Sequence, residues 1–491
     1  MITRHLSGIA VACFFLGLGN AAAELKVSPF FGPHMVLQRE EPIIVWGNAD
    51  AGTEVSIALG EDKATAKTDT AGHWKAELKP LVASGPFALT VNKGSETVKV
   101  DDIMIGDLWL ISGQSNVVLT LAASKEWPEV KTEGVFKDIR VCKLPGSCSF
   151  EPIDQFSRPT PWAVLDAARA GSFLSGVGYH FIRTIQPAAG VTVGLVQAAA
   201  GGTQIEEWIP EAALKAADPN NLNFANRAKA LEKLAADPAA KIGPIEAGAS
   251  AMYDGTIHPM RFAKWKGVVW YQGEANARTK EDYTLLLKTF IPAWREVFGQ
   301  PALPFIIVQL PNFAEQRPGS WVRLREMQMF GTRAMNVPLV VTIDQGAKET
   351  IHPPNKAEVG RRAGLAALQY VYKQDVEGTS PTPKSVQFQG GTAVVEFDGF
   401  KGDLVVKGDL IKGFELAGAD QKFVPASAKV EGRRVIVTAE GLAEPKAVRY
   451  LWENSPDAVT LYSAAGLPVG QFRSDAWPTA ETSPWFAGAT K

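Results

Sequence analysis

The sequence predicts an α/β protein in which a mainly parallel central sheet is covered by helices and flanked by β-rich regions. Between about residues 103 and 375, continuous apolar runs alternate with helical patterns, which is typical of parallel strands buried between helices. On either side of that region, short apolar runs are separated by turn-forming residues, which is typical of antiparallel structure. The chain therefore divides into residues 1–23, 24–105, 106–375 and 376–491.

Residues 1–23 have the pattern of a secretory signal peptide. Arg4 and His5 precede an apolar run over Ile9–Leu18, and Ala21–Ala23 supplies small residues for cleavage. The run is too short to span a bilayer, and no other segment has 18 uninterrupted apolar residues. We therefore expect an exported protein, periplasmic or secreted, with no membrane span. A buried N-terminal strand is the alternative interpretation of the same residues.

Composition and charge indicate an ordinary globular protein and argue against nucleic-acid binding. The chain has 491 residues, of which 46% are hydrophobic and 21% charged, as in ordinary globular proteins. A formal net charge of −2 provides no basic field, so we expect no nucleic-acid partner. The sequence gives no indication of the oligomeric state.

Two cysteines, Cys142 and Cys148, follow the signal-like segment. Pro145 and Gly146 place a turn between them, and export would permit a disulfide, so we expect one. Two free thiols are the alternative. Neither cysteine has a neighbouring histidine, which argues against a metal site or a cysteine nucleophile.

The region from residue 24 to 105 has the strand spacing of a small β-sandwich. Turn signals such as Ala51-Gly52 and Ser84-Gly85-Pro86 separate its apolar runs. Its predicted strands include Pro42–Trp46, Val55–Leu59 and Phe87–Val91.

The central region contains five apolar runs of strand length and four helical patterns. The strands are expected at Leu108–Ser112, Val191–Gln197, Val268–Gln272, Phe305–Leu310 and Val337–Ile343. The helices are expected at Tyr179–Ile185, Tyr283–Phe298, Val322–Ala334 and Ala357–Tyr372. Residues 204–250 interrupt this order as a helical or irregular excursion. After a linker at Pro381 and Pro383, strands are expected at Val386–Phe388, Ala393–Phe397, Leu404–Val406 and Val435–Thr438.

Polar segments follow the predicted central strands at the points where the strands end. They are Gly113-Gln114-Ser115-Asn116, Gly201-Gly202-Thr203, Gly273-Glu274-Ala275-Asn276 and the stretch from Asp344 to Pro353. Because ligands bind beyond the carboxyl ends of strands in open α/β sheets, we expect these segments to meet at one edge.

The residue types in these segments fit acyl transfer. Ser115 is the candidate nucleophile, which needs a base to take its proton, although a serine in such a turn is also a common helix cap. His352 is the candidate base, and His258, in a similar Ile-His-Pro sequence, is the alternative. Glu349, three residues before His352, is the candidate acid, and Asp344 at the strand end is the alternative.

The negative charge that develops on the carbonyl oxygen needs hydrogen-bond donors. The candidates are the N–H groups of Ser115 and Gly202 and a side-chain amide from Gln272 or Asn276. Glu274 has two interpretations, a catalytic acid or a first-turn carboxylate that complements a helix dipole.

Four sequence blocks in this order resemble those of the sialate O-acetylesterase family. They are Gly113-Gln114-Ser115-Asn116, Gly201-Gly202-Thr203, Trp270-Tyr271-Gln272-Gly273-Glu274-Ala275-Asn276 and Ile351-His352-Pro353-Pro354-Asn355-Lys356. The family belongs to the SGNH (GDSL-like) hydrolases, which include acetyl xylan and xyloglucan acetylesterases. The opening Phe31–Gln38 and the later Arg449–Trp452 also resemble that family, so the resemblance covers most of the chain.

The resemblance implies a three-layer α/β/α SGNH-hydrolase domain with sandwich- or jelly-roll-like accessory parts. It implies hydrolysis of acetyl esters on sugars through an acyl-serine intermediate, without a metal or other cofactor. By the same resemblance Ser115 is the nucleophile and His352 the base. Gly202 and Gln272 complete the oxyanion hole, and Asn276 has that role or binds substrate.

The sequence departs from the family pattern at two positions. Val117 stands where a methionine is usual, an apolar exchange, and Glu349 stands where many SGNH enzymes have aspartate. The sequence around Ser115 also lacks the second glycine of the Gly-x-Ser-x-Gly nucleophile elbow. Three alternatives remain: an acetyl xylan or xyloglucan esterase, a non-catalytic carbohydrate-binding protein, and a peptidase or lipase.

Overall fold

The computed structural model describes residues 24–317 and 319–477. Residues 1–23, which have the signal-peptide pattern, lie outside the described residues. The strands are β1 (Lys26–Val27), β2 (Val36–Gln38), β3 (Ile43–Asn48), β4 (Glu54–Leu59), β5 (Asp62–Lys67), β6 (His73–Leu78), β7 (Ser84–Lys93), β8 (Glu96–Gly113), β9 (Val135–Lys143), β10 (Trp162–Asp166), β11 (Val193–Ala199), β12 (Gly267–Tyr271), β13 (Phe305–Val308), β14 (Leu339–Val340), β15 (Thr382–Gln389), β16 (Thr392–Asp398), β17 (Leu404–Val406), β18 (Phe414–Ala417), β19 (Phe423–Pro425), β20 (Ser427–Glu431), β21 (Arg434–Thr438), β22 (Ala447–Tyr450), β23 (Leu461–Ser463) and β24 (Phe472–Arg473).

The helices concentrate between residues 115 and 370. They are α1 (Ser115–Val118), α2 (Trp127–Val130), α3 (Ala167–Ala170), α4 (Gly176–Ala189), α5 (Glu211–Ala217), α6 (Leu222–Ala236), α7 (Pro244–Ala247), α8 (Tyr283–Val297), α9 (Ser320–Met335) and α10 (Ala357–Tyr370). The α/β character and the additional β-rich regions are therefore as predicted. The excursion at residues 204–250 forms α5, α6 and α7.

Strand β8 joins the N-terminal region to the central region. Its first part pairs with β7 and β2, and its last residues pair with β11 and β12. The predicted boundary between residues 105 and 106 falls inside this strand, because buried apolar side chains continue across it from Ile103 to Ile111. One hydrophobic core accordingly includes both regions.

The central strands are ordered β10-β9-β11-β8-β12-β13-β14. The pairs from β9 to β14 are parallel, and β10 pairs with β9 in the antiparallel direction. Helix α4 packs against α10, and α8 packs against α9. Because neighbouring parallel strands end on the same side, the segments after β8, β11 and β12 meet at one edge of the sheet.

The C-terminal region has a hydrophobic core of its own. It contains the sheets β15-β16-β21-β20 and β19-β18-β22-β24 and the pair β17-β23. Side chains such as Phe397, Leu416 and Phe472 form this core, which also takes in Val341 and Ile343 from the segment after β14.

The expected disulfide is wrong, because Cys142 and Cys148 are both free. The Cys142 side chain lies in the core on strand β9, whereas the Cys148 thiol in the following loop lies 3.5 Å from the carbonyl oxygen of Ile242. Within the described ranges, no helix has the length and apolar character needed to cross a bilayer. The same residues contain no cluster of three His, Cys, Asp or Glu side chains that could hold a metal ion.

Candidate active site

Ser115 is placed at the sheet edge by a tight turn between β8 and α1. The turn passes through Gly113, whose φ is 140°, a conformation that side-chain-bearing residues rarely adopt. A Cβ atom on Gly113 would also collide with the carbonyl oxygen of Tyr271 at the end of β12. Glycine therefore allows the two strand ends to lie together, and Ser115 opens α1 with its side chain partly exposed.

The imidazole of His352 reaches the Ser115 hydroxyl from the loop between β14 and α10. His352 Nε2 lies 2.9 Å from Ser115 Oγ. Partial burial of the imidazole lowers the pKa of His352, and the positive charge of Lys356 lowers it further. The imidazole is therefore mostly neutral at neutral pH, which is the form that accepts a proton from a serine hydroxyl.

Two backbone N–H groups in the turns around Ser115 are available to a substrate. Among the described residues, the N–H groups of Ser115 and Gly202 donate to no protein acceptor. Gly202 has a φ of 77° in the turn that follows β11. A Cβ atom on its neighbour Gly201 would lie 3.8 Å from the Ser115 Cβ, so this turn is close to the serine. Free donors in such a position can stabilise an oxyanion.

Gln272 lies behind the site with its amide fully engaged. Its Nε2 is 3.1 Å from Gln114 Oε1, 3.1 Å from the Thr203 carbonyl oxygen and 2.7 Å from Asn276 Oδ1. Its Oε1 accepts a hydrogen bond from the Tyr283 hydroxyl. A direct contact between Gln272 and an oxyanion would require one of these hydrogen bonds to be exchanged.

Asn276 is also buried and occupied, and it leads to a carboxylate that sequence reasoning missed. Its Nδ2 donates to Glu206 Oε2 over 2.8 Å, and its Oδ1 accepts from the Ile205 N–H. Complete burial raises the pKa of Glu206 to about 7. The signal for Glu206 in the sequence was a pair of glutamates between Ile205 and Trp208, directly after the Gly201-Gly202 turn.

The two candidate acids lie in different surroundings. Asp344 forms a two-pronged ion pair with Arg362, with oxygen–nitrogen distances of 2.6 and 2.7 Å. Glu349 is exposed, and within the described ranges no hydrogen bond or ion pair joins a carboxylate to His352. The alternative base, His258, has its Nδ1 3.0 Å from the carbonyl oxygen of Ile153, and Ser115 is not among its partners.

Glu274 is buried in the turn that follows β12. Its Oε1 accepts a hydrogen bond from the Asn116 side chain. Burial raises the pKa of its carboxyl group. Through Asn116, Glu274 therefore supports the turn that carries Ser115.

Comparison with known proteins identifies relatives along nearly the whole chain. The sequence model of the family "Carbohydrate esterase, sialic acid-specific acetylesterase" matches residues 105–369, more than half of the 491 residues. The sialate O-acetylesterase of Mus musculus is 26% identical over 92% of this chain and 95% of its own length. The Homo sapiens sialate O-acetylesterase is 26% identical over 89% of each chain.

A solved structure has a similar fold over the same extent. The carbohydrate acetylesterase from Xanthomonas citri is 33% identical and superposes with a TM-score of 0.82. The match covers 92% of this chain and 100% of that one. The similarity therefore includes the β-rich regions as well as the central sheet.

Proposed function

Because this chain belongs to the family of sialic acid-specific carbohydrate acetylesterases, and is thus an esterase, we propose that it removes acetyl groups from sugars through an acyl-serine intermediate. The observation that carries the mechanism is the 2.9 Å approach of His352 Nε2 to Ser115 Oγ. The N–H groups of Ser115 and Gly202, which donate to no acceptor among the described residues, support it, since free donors near the nucleophile can stabilise a developing oxyanion.

The reaction proceeds in two half-reactions. His352 takes the hydroxyl proton as Ser115 Oγ attacks the acetyl carbonyl, and the protonated imidazole then gives that proton to the departing sugar oxygen. Water attacks the acetyl-serine next, with His352 as base, and releases acetate and free Ser115. The N–H groups of Ser115 and Gly202 stabilise each tetrahedral oxyanion, and Gln272 and Asn276 hold the turns that carry those N–H groups.

The two candidate acids, Glu349 and Asp344, both lack a contact with His352 among the described residues. Glu349 is a candidate acid because it lies three residues before His352, but its carboxylate is exposed to solvent. Asp344 is held by Arg362. A Ser115–His352 pair without a carboxylate is the mechanism that the distances favour.

Hydrolysis of an aryl acetate by Ser115→Ala tests the nucleophile. We expect turnover to fall by at least about 10³-fold, because only binding and oxyanion stabilisation remain. Ser172→Ala is the matched control, since that exposed hydroxyl has the Arg169 carbonyl oxygen as its hydrogen-bond partner in the described part of the chain. Full activity of Ser115→Ala would refute the assignment, and inactivity of the folded unaltered protein on all acetyl esters would favour a binding protein.

Acetate release from two substrates identifies the sugar. The mammalian relatives are sialate O-acetylesterases, which supports O-acetylated sialic acid as the first choice. Acetylated xylan or xyloglucan oligosaccharides are the comparison. Preference for the plant oligosaccharides would make the protein a hemicellulose deacetylase with the same catalytic groups.

We propose that the central region is a three-layer α/β/α domain around a mainly parallel sheet. The packing of the helices supports this architecture. Helices α4 and α10 pack together and α8 and α9 pack together, consistent with one pair on each face. We also propose export with removal of residues 1–23. Mass measurement of the N-terminus of the protein recovered outside the cytoplasm tests this, and an intact Met1 would contradict it.

A further inference from the structure

Lys356 is a buried cation behind the proposed catalytic pair. Lys356 is 2% exposed, and the stem of its side chain packs against Gly176 at the start of α4. Its Nζ donates to Asn116 Oδ1 over 2.6 Å. A buried ammonium group is costly unless it is paired or hydrogen-bonded, so this position requires an explanation.

Asn116 connects Lys356 to both catalytic residues. It directly follows Ser115, and its Nδ2 donates to Glu274 Oε1 and, over 3.1 Å, to the carbonyl oxygen of Ile351. Ile351 directly precedes His352. The Asn116 side chain thus uses both of its N–H donors and its oxygen, which leaves it a single orientation.

We propose that Lys356 is a positioning residue for the general base: by fixing Asn116 it holds the Ile351 carbonyl, and so keeps the His352 imidazole within reach of Ser115. The inference rests on the proposed Ser115–His352 mechanism. It accounts for a base whose imidazole has no carboxylate partner in the described structure. The hydrogen bond from Asn116 fixes the backbone just before His352, whereas a triad carboxylate would fix the second ring nitrogen of the imidazole.

The charges around Lys356 are consistent with this role. Glu274 approaches from the segment after β12 and Glu126 from the residue before α2, and both raise the pKa of Lys356. Burial outweighs them and lowers that pKa to about 8. The positive charge of Lys356 in turn lowers the pKa of His352. Lys356 thereby helps to keep the base unprotonated.

The test is the pH profile of kcat/KM for Lys356→Met on an aryl acetate. Methionine preserves the length of the stem but removes the donor and the charge. We expect kcat/KM to fall by ~10- to 100-fold through misplacement of the base. We also expect the acid limb to move to higher pH, because the charge that lowers the pKa of His352 is gone. The shift reports the lost charge, and a lower plateau value of kcat/KM in the folded variant reports the misplaced base. A merely structural role would lower the free energy of unfolding and leave that plateau unchanged.

Lys348→Met is the matched control. This exposed lysine lies in the same loop and pairs with Asp457, so its removal should leave both kcat/KM and the acid limb unchanged. Thermal unfolding of each variant shows whether it is folded.

Lys356→Met/Glu274→Gln covers the case in which the single variant does not fold. It removes the buried carboxylate charge together with the ammonium, while the amide oxygen that replaces the carboxylate can still accept a hydrogen bond from Asn116. The double variant should fold and still show the reduced kcat/KM and the shifted limb. Normal kcat/KM in either folded variant, or a loss without a shift in both, overturns the proposal. If Ser115→Ala retains activity, the catalytic assignment has failed, independently of Lys356.

Discussion

At the scale of single residues, the protonation state of His352 controls the proposed chemistry. Burial and the charge of Lys356 lower its pKa below the ordinary value of 6.5. Since the base must be neutral, kcat/KM should be full at neutral pH and fall only as the pH decreases through a value below 6.5. A kcat/KM–pH profile on an aryl acetate measures this. An acid limb centred above 6.5 would contradict the environment described for His352.

The two candidate acids should respond differently to neutral substitution. For Glu349→Gln we expect less than a tenfold loss of kcat/KM, far from the ~10⁴-fold cost of removing a triad carboxylate. For Asp344→Asn we expect a lower free energy of unfolding, by about 3 kcal/mol, because Arg362 would be left buried with a weakened partner. Steady-state kinetics and urea unfolding of both variants provide the measurements. A 10³-fold or larger kinetic loss in Glu349→Gln would assign it to a triad after all.

At the scale of elements, the excursion that carries α5, α6 and α7 borders the site. Ile245 on α7 is 64% exposed, and a Cβ atom placed on Gly202 would lie 2.6 Å from its Cδ1. Its apolar side chain therefore forms a wall beside a proposed oxyanion donor. We expect Ile245→Ala to raise KM for an acetylated oligosaccharide by up to ~10-fold, while kcat/KM for a small aryl acetate stays unchanged.

The control for this substitution is Leu222→Ala. Leu222 is 63% exposed at the start of α6, in the same excursion. It should alter neither substrate's kinetics. Equal changes for the oligosaccharide and the aryl acetate in Ile245→Ala would mean that Ile245 acts on the chemistry rather than on sugar binding.

The central elements could be predicted because each has a local signal. Strand β13 begins at Phe305 and helix α8 at Tyr283, as the apolar runs indicated. The resemblance to the acetylesterase family, carried by segments at strand ends, is confirmed by the family match. The predicted boundary at residue 105 lies inside strand β8. The sequence could not reveal this continuity, since a strand that passes from one region to the next has no break in its apolar pattern.

The buried polar network could not be predicted in the same way. Asn116 meets Glu274 and Lys356 across separations of 158 and 240 residues. Contacts between such distant residues depend on how the loops fold together, and no local sequence pattern predicts them. The spacing of Cys142 and Cys148 was misleading for a related reason: a short separation does not show that one thiol is directed into the core.

At the scale of the whole molecule, the C-terminal region is bound to the central region by buried charges as well as by apolar contacts. Arg473 on β24 forms a two-pronged ion pair with Glu326 on α9, at 2.8 and 3.2 Å, and both side chains are almost fully buried. Arg325, also on α9, donates to Gln471 and to the carbonyl oxygens of Glu453 and Asn454. Helix α9 therefore fixes the position of the C-terminal strands relative to the central region.

Breaking that ion pair should destabilise the whole chain in a pH-dependent manner. Arg473→Met leaves Glu326 buried without its cation, which we expect to cost about 3–5 kcal/mol of unfolding free energy near neutral pH. Burial already raises the pKa of Glu326, and loss of Arg473 raises it further. A carboxyl group whose pKa is raised in the folded state destabilises the protein as the pH rises from the unfolded pKa of 4.5 through the folded pKa. The loss of unfolding free energy in Arg473→Met should therefore be larger at pH 8 than at pH 5.

Lys429→Met, which removes an exposed pair with Glu431, is the control and should cost less than about 1 kcal/mol. Urea unfolding at the two pH values decides the matter: an equal deficit at both would show that Arg473 stabilises the junction through packing alone, not through the charge of Glu326.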